Sequence, residues 1–173
     1  MPIAHTRTST ARSASSRRTK VDAVKLLKAD HAEVKKLFAQ YEKLANAGAP
    51  SAERSQCASE ICDKLTVHTT IEEEIFYPAA RGALGTDDDS LIDQADVEHA
   101  SAKELIAQIQ ASDPGDEHYD AKVKVLGEYI DHHVKEEQSQ MFPKLSKKLD
   151  MAGLGEQLQA RKAELMESLA ALH

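Results

Sequence analysis

The sequence predicts an all-α protein, an antiparallel up-down four-helix bundle with a short additional C-terminal helix. Apolar residues recur at three- and four-residue steps through four long segments. The chain is 41% hydrophobic but only 4% aromatic, with no Trp, a composition that suits helices better than strands. The joints between segments are short, which favours antiparallel neighbours. At 173 residues there is length for one core plus tails.

From Val21 to about Ala47, the residues Val24, Leu27, Val34, Leu37, Phe38 and Tyr41 mark an amphipathic helix that Gly48 closes. Pro50-Ser51 opens a second helix, with Ser51 as N-cap and Ile61, Leu65, Ile71 and Ile75 along its inner side, ending near Gly82 to Gly85. The acidic run Asp87-Asp88-Asp89 places negative charge at the positive end of a third helix dipole, and Ile92, Ala95, Ala102, Ile106 and Ile109 follow at core spacing. Asp113-Pro114-Gly115 is a turn, with Pro114 suited to a first helical position, and Val123, Leu126, Ile130, Met141 and Leu145 mark the fourth helix. Beyond Gly153 and Gly155, the residues Leu158, Leu165 and Leu172, with Leu154 and Leu169, form a narrow apolar stripe. This fifth helix is expected to pack on the bundle or on a partner subunit. The expected organisation is a disordered basic tail over 1–20, the bundle over 21–148 and the C-terminal helix over 149–173.

The net charge is −7, yet residues 1–20 carry Arg7, Arg12, Arg17, Arg18 and Lys20 and no acid, so the remainder carries −12. An acidic body with few aromatics argues against a nucleic-acid partner, which needs a basic face. No apolar run reaches the roughly 20 residues of a membrane span and no apolar signal segment opens the chain, so a cytoplasmic protein without a membrane partner is expected. Cys57 and Cys62 lie five apart on one helix, too distant for easy bridging, and are expected as buried free thiols.

The chemistry lies in an internal repeat. His68-Thr-Thr-Ile-Glu72 precedes Pro78, and His133-Val-Lys-Glu-Glu137 precedes Pro143 at the same distance; both read H-x3-E-x5-P, and each has an apolar pair before the proline. Residues four apart on a helix project from one stripe, and this stripe is the apolar, core-facing one. Two buried carboxylates with no matching buried Lys or Arg demand a cation. His31 and His99 occupy core positions on the two remaining helices, and the pairs Asp30-His31 and Glu98-His99 are alike. The first two helices and the last two therefore read as copies related by a pseudo-twofold. Four His and two Glu leave positions open for an oxo or hydroxo bridge and an external ligand, which suits iron or manganese, with zinc as a further option.

The pattern H…H-x3-E…H…H-x3-E on four helices resembles the hemerythrin-like (HHE cation-binding) family over roughly residues 24–147. The resemblance implies a di-iron site held by His31, His68, Glu72, His99, His133 and Glu137, with both glutamates spanning the two ions. Oxygen-carrying hemerythrins have a second histidine one turn further along the third helix, where this chain has Lys103, and an Asp where it has Glu137. Simple oxygen carriage is therefore not implied. The expected function is binding of, or reaction with, a small oxidant (dioxygen, peroxide or nitric oxide) in oxidative or nitrosative stress or iron handling. Catalase-like decomposition of peroxide and a metal-dependent sensor or interaction module are the alternatives. The Glu-x-x-His motif of ferritin-like di-iron bundles is absent. Tyr129, one turn before His133, is expected in the core or against a ligand. His132 is read as a surface or outer residue, and His5, His118 and His173 as exposed. Pro78 and Pro143 are expected to kink or end their helices near the site.

Overall fold

A computed structural model describes residues 21–85 and 89–171. The expectations for the tail 1–20, for Asp87 and Asp88, and for Leu172 and His173 fall outside the described residues. Among the described residues five helical rods follow in order. The first is α1 (Ala23–Asn46). The second is α2 (Ser51–Ile71), a π-helical turn (Glu72–Phe76) and α3 (Tyr77–Leu84). The third is α4 (Asp89–Ala111). The fourth is α5 (Tyr119–Glu136), a second π turn (Glu137–Met141) and α6 (Phe142–Leu145), and the fifth is α7 (Met151–Ala170). Among the described residues no helix is long and apolar enough to cross a membrane.

Local chemistry sets most boundaries. The Asp22 side chain accepts from the Lys25 amide at 3.0 Å to start α1, and Asp150 accepts from the Gly153 amide at 3.1 Å to start α7. Gly48 and Gly85 adopt positive φ (63° and 76°) just past the first two rods, a conformation other residues reach only with strain. Two expected boundaries differ. Pro50, not Ser51, is the N-cap of α2; its carbonyl accepts from Glu53 and Arg54, and Ser51 is already helical. Pro114 lies in the turn and not in a first helical position, because Asp113 and Asp116 hold residues 113–116 as a hydrogen-bonded turn and the helix starts only at Tyr119.

The prolines do not end their helices. Each follows a widened turn in which the next amide donates five residues back: Tyr77 to Glu72, and Phe142 to Glu137. A proline ring lacks the N–H and collides with the carbonyl four residues earlier; widening the turn relieves both problems.

Two apolar clusters fill the bundle. One joins Leu27, Ile71, Phe76, Ile92, Phe142 and Leu145 to Met151, Leu154 and Leu158 of α7. The other gathers Val34, Tyr41, Ile61, Leu65, Ile106, Leu126 and both cysteines, which are free. Burial pushes the Cys62 thiol up to about 12. On each of the first four rods the sequence passes from one cluster to the other across a single buried polar layer: Asp30-His31, His68 and Glu72, His99, and His133 and Glu137. The α7 helix lies along α1 and α2, and the chain entering α1 presses on it so closely that a Cβ on Gly155 would meet the Val21 carbonyl oxygen at 1.7 Å. Arg161 pairs with Glu74 at 2.7 Å and Lys162 pairs with Asp30, fixing α7 to the edge of the polar layer.

Candidate metal centre

All six side chains singled out from the sequence meet in that layer, and all are at most 6% exposed. Two nests of donor atoms result. His31, His68, Glu72 and Glu137 form one; His99 and His133 form the other with Glu72. In the first nest the ring Nε2 atoms of His31 and His68 are 2.9 Å apart. His31 lies 3.3 Å from Glu137 Oε2, and His68 3.3 Å from Glu72 Oε1. In the second nest His99 and His133 approach to 3.1 Å, with His99 3.4 Å from Glu72 Oε2 and His133 3.6 Å from Glu137 Oε2. Glu72 thus turns one oxygen to each nest, while Glu137 Oε2 lies between His31 and His133.

The donor set fits a cation. Ligands about 2.1 Å from one ion lie roughly 3.0–3.4 Å from each other, close to the spacing found. Both Glu72 oxygens and Glu137 Oε2 are buried without a hydrogen-bond partner, which is costly for groups removed from water. Burial, followed by the charge of Glu137, pushes the Glu72 carboxyl well above the usual range. Burial opposes ionisation of Glu137 too, but His31 and the other ring charges outweigh it and hold Glu137 low. Without a cation, burial thus favours the neutral form of Glu72 while the rings favour the charged form of Glu137. Burial and the neighbouring His133 press His99 down to about 4, and burial lowers His68 as well, so these two rings keep a lone pair to offer at neutral pH.

Three of the rings have a hydrogen-bonding partner on Nδ1: Glu98 lies 2.8 Å from His133, Glu73 3.1 Å from His99 and Gln138 3.0 Å from His31, whereas on His68 the nearest group, Asp30, stands off at 3.6 Å. Lys103, which stands where oxygen carriers have a histidine, points away and donates to Glu73 at 2.7 Å. His132 is surface-exposed beside Glu98 and Glu136. Tyr129 is in neither of its expected places: it is 49% exposed, because the core face of α5 runs through Leu126, Ile130 and His133 instead.

The tyrosine that does reach the cage is Tyr77, which sequence reasoning treated as one of an apolar pair. Its hydroxyl donates to Glu137 Oε1 at 3.0 Å and lies 3.2 Å from His99 Nε2. On an uninterrupted α-helix, five residues after Glu72 would point about 140° away from it. The π turn takes up that difference and brings Tyr77 onto the same face. The available signal was the proline at one fixed offset in both repeats.

The fold and the layer define a helical bundle built around a buried cage of imidazoles and carboxylates whose donor set fits a cation. Residues 22–171 match the Hemerythrin HHE cation binding domain family, and the chain belongs to it. Among solved structures, a hemerythrin HHE cation binding domain-containing protein of Mycobacterium kansasii superposes with a TM-score of 0.71 at 24% identity, over 86% of this chain and 89% of that one, a likeness of fold. A curated relative, a DNA nickase of Nostoc sp., is 28% identical over 118 residues; the match takes in 68% of this chain and only 31% of the relative.

Proposed function

We propose that this chain is a di-iron protein that binds or reacts with a small oxidant, dioxygen, peroxide or nitric oxide, in oxidative or nitrosative stress or in iron handling. The observation that supports this reading is the orphaned Glu72 carboxylate, buried with its two oxygens directed at two separate histidine pairs. His31 and His68 would hold one ion, His99 and His133 the other, and Glu72 and Glu137 would serve both. Mixed imidazole and carboxylate donors suit iron, and manganese or zinc less well in an oxidant-binding role. Two iron ions, when bound, supply redox chemistry and open positions for a small ligand.

The protein's own residues do the remaining work. Glu98 and Glu73 orient His133 and His99 through their Nδ1 atoms, and Tyr77 keeps Glu137 in place through Oε1. A groove of about 630 Å³ between α1 and α5, lined by Lys28, Lys35, Phe38, Asp131, Lys135 and Gln138, reaches His31 and gives a small molecule a way in.

Metal analysis and an ultraviolet-visible spectrum of protein from iron-supplemented cells test the reading. About two irons per chain are expected, with a spectrum that changes when the reduced protein meets dioxygen, peroxide or nitric oxide. Absence of iron, or a spectrum indifferent to all three, defeats the proposal. Sustained oxygen release from peroxide would instead identify an enzyme.

A further inference from the structure

The two halves of the cage are copies, so each residue of one has a counterpart in the other: His31 with His99, His68 with His133, Glu72 with Glu137 and Asp30 with Glu98. Moving 65 residues on from the first repeat also pairs Glu73 with Gln138 and Tyr77 with Phe142. The six cage residues are preserved in kind. The residues around them are not, and two of the departures, Gln138 in place of Glu73 and Asp30 in place of Glu98, leave the His31–His68 half with the weaker partners on Nδ1.

Around His99 stand the Glu73 carboxylate on Nδ1 at 3.1 Å and the Tyr77 hydroxyl at 3.2 Å from Nε2. Around His31 the corresponding places hold the Gln138 amide at 3.0 Å and the ring of Phe142, stacked with its centroid 6.1 Å away. His133 has Glu98 at 2.8 Å; its counterpart His68 has the shorter Asp30 at 3.6 Å, beyond hydrogen-bond reach, with the other Asp30 oxygen taken by Lys162.

A carboxylate can only accept from a neutral ring, so it fixes the proton on Nδ1 and leaves the Nε2 lone pair facing the cage. An amide imposes no such choice. In the arrangement present here the Gln138 amide nitrogen faces Nδ1, so a neutral His31 carries its proton on Nε2, 3.3 Å from Glu137 Oε2. To offer Nε2 to an ion, His31 must change tautomer while the amide turns over to present its oxygen.

From this broken symmetry we infer that the two ion positions are unequal: the His99–His133 position loads first and holds its ion tightly, and the His31–His68 position loads second and exchanges. This rests on the di-iron reading and adds the order of filling. It makes the position at the end of the α1–α5 groove the labile one, and Gln138 a positioning residue that sets its lability.

Anaerobic titration of the metal-free chain with ferrous iron, followed by calorimetry and by the rate of iron loss to a chelator, tests this. Two steps at least tenfold apart in affinity are expected. A His31→Ala chain should keep the tight step and lose the weak one; His99→Ala should lose the tight step. Outer partners of ligating histidines are worth 10- to 100-fold in affinity. Gln138→Glu should therefore tighten the second step about tenfold or more and slow release of that ion, Lys35 being on the same groove to meet the new charge. Glu73→Gln should loosen the first step by a similar factor. Circular dichroism confirms that each chain is folded. Two irons taken up in one indistinguishable step, or loss of the tight step in His31→Ala, overturn the inference and leave the di-iron reading intact. An unchanged second step in Gln138→Glu overturns the role given to Gln138. A folded wild-type chain that takes up no iron overturns both.

Discussion

Glu72 shows how function and stability oppose each other within one side chain. Its carboxyl is raised by burial and by Glu137, so in the metal-free fold it prefers to be neutral. A raised folded-state value gives stability that is present in full below the unfolded value of about 4.5 and is lost as pH rises toward the folded one. Glu72→Gln keeps the shape without the charge. In chelator, it should be more stable than wild type at pH 8, by about 1–3 kcal/mol, and little different at pH 5; urea melts at both pH values read this. The same substitution should abolish uptake of two irons. His68 and His99 act in the opposite direction: their lowered values give stability that is present above about 6.5 and is lost as pH falls, for His99 through about 4. Tyr77→Phe removes the donor to Glu137 Oε1 and should cost about 1–3 kcal/mol in the metal-free protein, the range for a buried polar atom left alone; an unchanged denaturation midpoint would show that Glu137 does not depend on it.

The helices were legible because their core faces repeat at the α-helical period, and the six cage residues were legible because they interrupt that apolar stripe at matched spacing. What escaped was whatever departs from the period. Tyr77 is off the stripe in an α-helix and reaches the cage only through the widened turn. Tyr129, one turn before His133 by count, lies outside the buried face. The outer partners Glu73, Glu98 and Gln138 sit next to ligands in sequence but act across the bundle on other helices, a relation no local pattern encodes. Element packing gives its own prediction. Gly155→Ala would drive a methyl into the Val21 carbonyl, where backbone and not a flexible side chain must move, and should cost about 3 kcal/mol. Gly82→Ala, also in a helix but with nothing within 4 Å, should raise stability by about 0.5–1 kcal/mol. Thermal melts of the two variants should move in opposite directions; if both moved alike, the close approach of α7 to the start of α1 would carry no energetic weight.

For the molecule as a whole, a cation held in the charged layer between the two apolar clusters would be part of the fold. A ligand that binds only the native state, present at a thousandfold excess over its Kd, contributes about 4 kcal/mol, and at roughly 2–4 °C per kcal/mol in a chain of this size the Tm should rise by about 10 °C. Differential scanning calorimetry with ferrous iron and then with chelator should show the rise and its reversal, and neither in Glu72→Gln.

Glu72 belongs to the first helical hairpin yet lies 3.4 Å from His99 in the second, and Glu137 of the second lies 3.3 Å from His31 in the first. Each hairpin thus reaches one carboxylate into the other's nest, and an ion held in either place would tie the two together as a bolt ties two plates. So bolted, the protein would part its hairpins only by first giving up that ion. Without the ion the same seam would enclose buried carboxylate oxygens that have no partner. Proteases cut chains that open, so on the di-iron reading the lifetime of this protein in a cell would track its iron supply, abundant when the metal is plentiful and short-lived when it is scarce.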